Sequence, residues 1–394
     1  MKVCGIIAEY DPFHRGHLHH LEQARARSGA DYMVCVLGCA FSQRGEAMLF
    51  STHDRARMAL QNGFDLVLGM PVSFSCAQAN RFAAGGVGIL HRLGVVSHLS
   101  FGSESDDLGL LRQAARLLNH PDAAFARALK AGLDTGLSFA AAQGQALQEA
   151  LPEAGPALLA SPNFILGVSY LRELERLGSR MTPLPVLRSA PYHSLAGGPL
   201  ASASAVRAQW LQGEWEQAAA ACPPASLAVM RGAATHRPEA LDKALLYLLL
   251  SQGEGVLCPS SEISEGLERR ILKALPRASS RAALLDLAKT RRYPRARISR
   301  ALTHSLLGLA HTPRQPQHAR LLGFRASARP LLAAIGSGGF TLVDRPARAS
   351  RAEVAQDLRA EELWQLGSGR SPAAAWRQQV IVLDEPSKKR EETT

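Results

Sequence analysis

The sequence lacks a Cys-x-x-Cys pair and any apolar run approaching the roughly 18 residues that cross a bilayer. Its six cysteines are scattered from Cys4 to Cys258, which argues against a zinc module and fits reduced thiols in a cytosol. The first residues read as a core strand followed by charged residues, unlike a signal peptide. We therefore expect a cytoplasmic protein with no membrane segment and no dedicated metal site.

Acidic residues are scarce in one part of the chain. Of the 394 residues, 45 are Lys or Arg and 34 are Asp or Glu, and residues 1–150 hold 13 of each sign. Residues 266–330, by contrast, hold 15 basic and 2 acidic residues. The chain is long enough for two domains, so we predict a neutral catalytic domain beside a domain that binds a polyanion. An arginine-rich solvated face without a ligand is the alternative.

Apolar runs alternate with helical patterns in the first half of the chain. A run over residues 3–7 predicts a strand, which the Asp11-Pro12 pair ends. Four further strands are predicted over residues 32–37, 65–71, 95–101 and 184–187. This alternation predicts an α/β fold, a Rossmann-like doubly wound parallel sheet, over residues 1–215. Such sheets bind ligands at the carboxyl ends of their strands.

Strand signals fade after residue 215. We assign residues 216–383 to a basic, mainly helical domain with a small α/β appendage, and residues 384–394 to a disordered, charged tail. The most basic stretch is a candidate RNA-binding surface. Tyr293 would stack on a base there, although simple packing of its ring is the alternative. The candidate RNA contacts are Arg291, Arg292, Tyr293, Arg295, Arg297 and Arg300.

The turn after the first strand contains His14-Arg15-Gly16-His17. Two histidines three residues apart share one face of a helical turn, and the N–H groups of a helix start favour phosphate. Two imidazoles there can donate hydrogen bonds to charge that develops in phosphoryl or nucleotidyl transfer. A chance pair, or a pair that binds metal, is the alternative. The position directly after an N-terminal strand favours a nucleotide site.

Other polar residues follow the later strands. Arg44 offers a forked donor to phosphate or carboxylate, although an ion pair with Glu46 would also explain it. The remaining candidates lie at strand ends or helix starts, where caps, turns and surface charges are the structural alternatives. These candidates are Gly102, Asn163, Arg188, Ser204 and Arg207.

The string Glu9-Tyr10-Asp11-Pro12-Phe13-His14-Arg15-Gly16-His17 resembles that of the bacterial tRNA(Met) cytidine acetate ligase family, within the HIGH-type nucleotidyltransferase superfamily. Gln43-Arg44-Gly45-Glu46 and Phe101-Gly102-Ser103-Glu104 are similar to strings of the same family. The family shows Asn at the positions of Asp11 and Arg15, and Lys at that of Thr52. If that Lys holds phosphate, Arg55 or Arg57 would replace it here.

The resemblance implies that acetate is activated with ATP as acetyl-adenylate and passed to the wobble cytidine of elongator tRNA(Met). Magnesium would screen the phosphates, and His14, His17 and Arg44 would be catalytic. A small-molecule adenylyltransferase and an RNA-binding protein with a degenerate nucleotide site are the two other functions considered. The implied ATP contacts are Ile7, Ala8, Glu9, Tyr10, Asp11, Pro12, Phe13, His14, Arg15, Gly16, His17, Leu18, Gly102, Asn163, Arg188, Ser204 and Arg207.

Overall fold

The computed structural model describes residues 1–187, 202–257, 261–310, 313–345 and 352–384, so Arg188 and the tail from residue 385 lie outside the described residues. Within these ranges the strands are β1 (Val3–Ala8), β2 (Tyr32–Gly38), β3 (Leu66–Met70), β4 (His98–Ser103), β5 (Thr182–Leu187), β6 (His318–Arg325), β7 (Thr341–Val343) and β8 (Ile381–Leu383). The α-helices there are α1 (Arg15–Ser28), α2 (Thr52–Gln61), α3 (Val72–Ser75), α4 (Ala79–Arg92), α5 (Leu108–Asn119), α6 (Ala123–Asp134), α7 (Phe139–Ala150), α8 (Pro156–Leu159), α9 (Pro162–Arg176), α10 (Ala203–Gln212), α11 (Trp215–Ala220), α12 (Pro224–Gly232), α13 (Asp242–Gln252), α14 (Leu267–Ala274), α15 (Arg281–Ala288), α16 (Arg295–Leu307), α17 (Arg329–Gly336) and α18 (Ala352–Gly367).

The strands form one sheet in the order β5-β4-β1-β2-β3-β6-β7, with β8 paired to β6. The five strands β1 to β5 run parallel to one another, which confirms the predicted parallel sheet. Their order, 3-2-1-4-5, places the topological switch point between β1 and β4. Ligands of such sheets bind outside the carboxyl ends of the strands at this point, so the ends of β1 and β4 mark the expected site.

Both faces of the sheet are buried. Along β1, Val3 and Ile7 pack into one core whereas Cys4 and Ile6 pack into the other, because successive side chains of a strand alternate between faces. Helices α4, α5 and α9 contribute to the first core, and α1 and α2 contribute to the second. The sheet is therefore doubly wound, as predicted.

The α/β appendage predicted near the C-terminus is part of this same sheet. Strand β6 pairs antiparallel with β3, with Leu66 opposite Phe324, and β7 and β8 run parallel to β6. Without β6, β3 would leave a row of unpaired backbone groups at a sheet edge. The pairing corrects the assignment of these strands to the helical domain, because the partner of a lone strand cannot be read from its own residues.

The helical part has a core of its own, in which α13 to α16 bury Leu245, Ile271 and Ile298 together. Helices α11 and α12 instead pack into the second core of the sheet through Ala218 and Met230. The α/β unit therefore extends past the predicted boundary at residue 215, because these two helices cover the face that α1 and α2 also cover.

Within the described ranges, no helix is both long enough and apolar enough to span a bilayer. The five cysteines in those ranges are buried and unpaired. Burial raises the pKa of the Cys4 thiol to about 11 and that of Cys76 to about 12, so both thiols stay protonated near neutral pH. These cysteines behave as small core residues rather than as nucleophiles.

Candidate active site at the carboxyl edge of the sheet

His14 and His17 occupy the start of α1. His14 is the N-cap, and its Nδ1 accepts the Gly16 N–H at 3.0 Å while the His17 Nδ1 accepts the His14 N–H at 3.3 Å. The two rings stack, with centroids 3.7 Å apart and an angle of 23° between their planes. This confirms the predicted placement of both imidazoles on one helical face, and the helix start itself fixes the rings.

These hydrogen bonds assign the tautomers of His14 and His17. Because each Nδ1 accepts a backbone N–H, a neutral ring carries its proton on Nε2 and can donate from that edge. The N-terminus of α1 adds partial positive charge at the same place. His14 is only 6% exposed, so water competes little for its hydrogen bond. The arrangement suits a ligand that carries negative charge.

Most predicted ATP contacts in the string around His14 are packed rather than exposed. Tyr10 is buried, with its ring centroid 4.6 Å from that of His17, and its φ of 48° lies in the left-handed region. This conformation turns the chain between β1 and α1. Five more side chains of the string are buried or half-buried and shape the site through packing and backbone: Ile7, Ala8, Pro12, Phe13 and Leu18.

Asp11 closes the loop that precedes α2. Its buried carboxylate accepts the N–H groups of Leu49 at 2.7 Å and Phe50 at 3.0 Å. Its backbone carbonyl accepts from Arg207 Nη1 at 2.7 Å, and Arg207 Nη2 donates to the exposed Ser204 hydroxyl at 3.2 Å. The structure thus brings Ser204 and Arg207 to the loop after β1, where the Asp11 carboxylate also forms an ion pair with Arg207 Nε at 3.9 Å.

Arg15 docks a neighbouring helix. Its Nε donates to the Ala220 carbonyl at 2.9 Å, and its backbone N–H donates to the Ala221 carbonyl at 2.8 Å. Both acceptors lie at the end of α11. The guanidinium Nε is therefore committed to holding α11 against α1, and Arg15 as an ATP contact stays a prediction that these contacts do not favour.

The carboxyl end of β4 lies beside that of β1, and extending their register places Ala8 level with Gly102. Directly after β4, the Glu104 carboxylate accepts from Asn163 Nδ2 at 2.6 Å and from the Phe164 N–H at 3.1 Å. It thereby caps α9, whose own N-cap residue makes no side-chain cap bond. Asn163 is thus brought to the end of β4, and its contact with ATP stays a prediction. Glu104, which sequence reasoning did not single out although the Phe-Gly-Ser-Glu string contained it, joins the end of β4 to the start of α9.

The buried Arg55 side chain joins the carboxyl ends of β1 and β2 through hydrogen bonds to their backbone carbonyls. It is fully buried; its Nη1 donates to the carbonyls of Glu9 at 2.6 Å and Gly38 at 2.8 Å, and its Nη2 donates to that of Cys39 at 2.6 Å. Thr52 is fully buried too, and its hydroxyl accepts from the same Nη2 at 3.3 Å. The idea that Arg55 replaces a phosphate-binding lysine is therefore corrected, because backbone carbonyls occupy its guanidinium.

Arg57, the other candidate for that role, lies elsewhere. It lines a surface cavity with His53, Arg377 and the strand β8. Strand β8 pairs with β6, on the far side of β2 and β3 from the β1–β4 switch point. Arg57 thus lines a cavity away from the switch point, and this placement does not favour the idea that it holds the phosphates.

Arg44 is exposed in a tight turn over residues 42–46. The turn is tied to the end of β1, because the Glu9 Oε1 accepts the Gln43 N–H at 2.7 Å. Burial raises the pKa of the Glu9 carboxyl, and the hydrogen bond from Gln43 opposes that rise. The turn therefore holds Arg44 at the same edge of the sheet as the His14–His17 pair.

Tyr293 is a core residue of the helical domain. It is 8% exposed, and its hydroxyl donates to the Glu265 carbonyl. The guanidinium carbon of Arg297 lies 5.5 Å from the centroid of its ring. Stacking of Tyr293 on a base is therefore corrected, because the ring is packed among α14, α15 and α16.

The predicted RNA-binding arginines differ in exposure. Arg297 Nη2 donates to the Ser264 hydroxyl at 2.6 Å, and Arg300 pairs with the buried Glu262 at 2.9 Å. These two side chains hold α16 against the preceding loop, so they are poorly placed to meet phosphate. The exposed arginines of the stretch are Arg291, Arg292 and Arg295.

Residues 1–379 match the model of the HIGH nucleotidyl transferase family. The chain is 38% identical over 347 residues to the tRNA(Met) cytidine acetate ligase of Syntrophotalea carbinolica. This alignment covers 85% of this chain and 82% of that protein. It is 36% identical over 348 residues to the ligase of the same name from Syntrophomonas wolfei, covering 84% of each. A crystal structure of Thermotoga maritima TmcAL bound with alpha-thio ATP superposes with a TM-score of 0.88 at 27% identity, covering 98% of this chain and 100% of that chain. The chain therefore belongs to the HIGH nucleotidyl transferase family and, within it, to the tRNA(Met) cytidine acetate ligases.

Proposed function

We propose that the protein is an ATP-dependent tRNA(Met) cytidine acetate ligase. A carboxylate oxygen of acetate attacks the α-phosphorus of ATP, and pyrophosphate leaves with the bonding electrons to give acetyl-adenylate. The N4 amino group of the wobble cytidine of elongator tRNA(Met) then attacks the acetyl carbonyl carbon, and AMP leaves while the amine loses a proton. The observation that carries this proposal is the stacked His14–His17 pair at the β1–β4 switch point of a chain of this family.

The first step moves negative charge onto the phosphate oxygens. The Nε2–H groups of His14 and His17 and the start of α1 donate to those oxygens, where preorganised donors stabilise developing charge. Arg207 reaches the loop that follows β1 from α10, and Arg44 approaches from the turn tied to Glu9. We place the nucleoside at Gly102, near the carboxyl end of β4 and on that side of the switch point. Arg188 stays a prediction.

Magnesium does not fit as a resident ion of this site. Glu9 and Asp11 lie between β1 and α1, Glu104 follows β4, and each of these carboxylates already accepts N–H groups of the protein. Among the described residues, no three His, Cys, Asp or Glu side chains are grouped to hold a metal ion. We assign no step to magnesium, and the histidine and arginine donors carry the stabilisation of phosphate charge.

A degenerate nucleotide site would be expected if Thr52 had replaced a side chain that faces the ligand. Thr52 is fully buried at the start of α2, and its hydroxyl accepts from Arg55, so its side chain contacts the interior rather than a ligand. A small-molecule adenylyltransferase would leave the basic helical domain and its exposed arginines without a partner. The structure therefore favours the tRNA ligase over both alternatives.

The proposed function is tested with ATP, labelled acetate and a transcript of elongator tRNA(Met). We expect label in N4-acetylcytidine together with pyrophosphate. Acetate-dependent pyrophosphate release without labelled tRNA would point instead to a small-molecule acceptor. No release, and no thermal stabilisation by ATP, would leave an RNA-binding protein without this activity.

Gly16 leaves room for the His14 ring. A Cβ at this position would lie 2.8 Å from the His14 Cε1 and 3.1 Å from its Nδ1. We expect Gly16→Ala to displace the ring and to slow acetate-dependent pyrophosphate release by about 10- to 100-fold. The unfolding free energy should change by no more than about 1 kcal/mol, since alanine favours a helix. Gly144→Ala in α7, where nothing crowds a Cβ, is the matched control. Equal activity of the two variants would contradict this steric role.

The exposed arginines before α16 are expected to meet tRNA phosphates. The double variant Arg291→Ala/Arg292→Ala should weaken tRNA binding and lower the slope of log K against log salt by about 1–2, because each phosphate contact contributes about 0.9. Arg112→Ala/Arg116→Ala removes two exposed arginines of α5 and should bind like the wild type. Filter binding between about 50 and 200 mM salt measures the slope. An unchanged slope in the first variant would place the RNA surface elsewhere.

A further inference from the structure

The turn over residues 42–46 reaches across to the helical domain. Gly45 has a φ of 76°, in the left-handed region that favours glycine. A Cβ on Gly45 would lie 2.5 Å from the Arg300 backbone nitrogen and 2.6 Å from the Ser299 carbonyl carbon. The turn therefore lies directly against the backbone of α16, and a side chain at this position would force the two apart.

Three side chains of the helical domain converge on the Gly45 carbonyl oxygen. It accepts from Arg281 Nη2 at 2.5 Å, from the Thr303 hydroxyl at 2.6 Å and from the Ser299 hydroxyl at 3.3 Å. The same Arg281 nitrogen also donates to the Thr303 hydroxyl at 2.7 Å. One carbonyl of the turn is thus fixed by both α15 and α16.

The residue on the other side of Arg44 is held as well. The Gln43 N–H donates to Glu9 Oε1 at 2.7 Å, and the Gln43 carbonyl accepts from Arg300 Nη1 at 3.3 Å. Arg300 in turn pairs with the buried Glu262 at 2.9 Å. Both peptide neighbours of Arg44 are therefore fixed to the helical domain, and one is also fixed to the end of β1.

We infer that Arg281 is a positioning residue for nucleotidyl transfer: it holds Gly45 from the helical domain and thereby aims Arg44 at the phosphates of ATP. This inference rests on the proposed function. An arginine side chain has many rotamers, so a backbone fixed at both neighbours limits the freedom that is lost when it binds phosphate. The site is complete only when α15 and α16 are docked on the turn.

The first experiment compares Arg281→Met with Arg270→Met. Arg270 donates to the Ala288 carbonyl within the helical domain, so its loss removes a similar arginine without touching the turn. We expect Arg281→Met to lower kcat for acetate-dependent pyrophosphate release about 10-fold or more, with a smaller change in KM for acetate. Arg270→Met should leave kcat within about twofold. Arg281→Lys should recover part of the rate, because its ammonium can donate to the same carbonyl.

Thr303→Val is the milder variant, which keeps the test valid where Arg281→Met does not fold. It removes one of the three donors and should slow the reaction about threefold to fivefold. If Arg281 and Thr303 act through Arg44, the same change should cost much less in an Arg44→Ala background, within about 1.5-fold. Equal losses in the two backgrounds would overturn the positioning role, since a general loss of stability is additive.

Hydrogen exchange of the turn gives a readout that does not depend on activity. Thr303→Val should speed exchange of the amides of residues 43–46 about fivefold or more, because the turn opens more often. Arg270→Met should not. Unchanged exchange in Thr303→Val would overturn the positioning role alone. A wild type without acetate-dependent pyrophosphate release would overturn the proposed function, and the role of Arg281 in it.

Discussion

His14→Ser is expected to slow acetate-dependent pyrophosphate release by about 10²–10³-fold, the usual cost of removing one preorganised donor to developing charge. The serine hydroxyl can still cap α1, since serine is among the preferred N-cap residues, but it is too short to replace the Nε2–H of the ring. His17 would also lose its stacking partner. Pyrophosphate release and urea unfolding, measured side by side, separate the chemistry from the fold.

His14→Ala is the matched variant, because it removes both the ring and the cap. Its rate should be as low as that of His14→Ser, whereas its unfolding free energy should be lower by about 1 kcal/mol, the value of an N-cap. A rate near that of the wild type in His14→Ser would show that the Nε2–H does not act on the phosphates. A large gap in rate between the two variants would assign His14 mainly to capping.

The sequence predictions that the structure confirms rest on patterns among neighbouring residues. A strand, a breaker and a helix start are adjacent in the chain, so β1, the turn and the His14–His17 face of α1 could be predicted together. The five parallel strands followed from apolar runs of strand length. The burial of Tyr293 could not be predicted in this way, because the side of a helical hairpin that faces its core depends on partners distant in sequence.

Contacts between distant residues account for what sequence reasoning missed. Glu104 and Asn163 are 59 residues apart, and Gly45 and Arg281 are 236 apart, so no local pattern joins them. The sequence suggests Arg55 as a phosphate ligand because it lies three residues after Thr52, where the related family has a lysine. In the structure the Arg55 side chain is fully buried, and its guanidinium N–H groups donate to backbone carbonyls instead of phosphate.

Arg55→Met is expected to lower the unfolding free energy by about 3–5 kcal/mol, because several carbonyls that lose their donor cost about 1–3 kcal/mol each. The carbonyls of Gly38 and Cys39 would remain buried, and that of Glu9 part-buried, without the donors that they have now. The ends of β1 and β2 would then be free to separate, and the loop that carries His14 starts at one of them. Urea unfolding measures the change.

Arg57→Met, two residues further along α2, is the matched control: it makes the same substitution at a half-buried position that contacts the surface cavity at β8. It should cost less than about 1 kcal/mol, as surface substitutions usually do. Arg55→Lys should lie between the two, since an ammonium keeps donors but cannot span the four backbone carbonyls that the planar guanidinium reaches. Similar unfolding free energies for Arg55→Met and Arg57→Met would mean that the buried guanidinium does not join the ends of β1 and β2. The expected gap between them would show that an arginine whose position suggested phosphate binding is part of the framework that holds the catalytic loop.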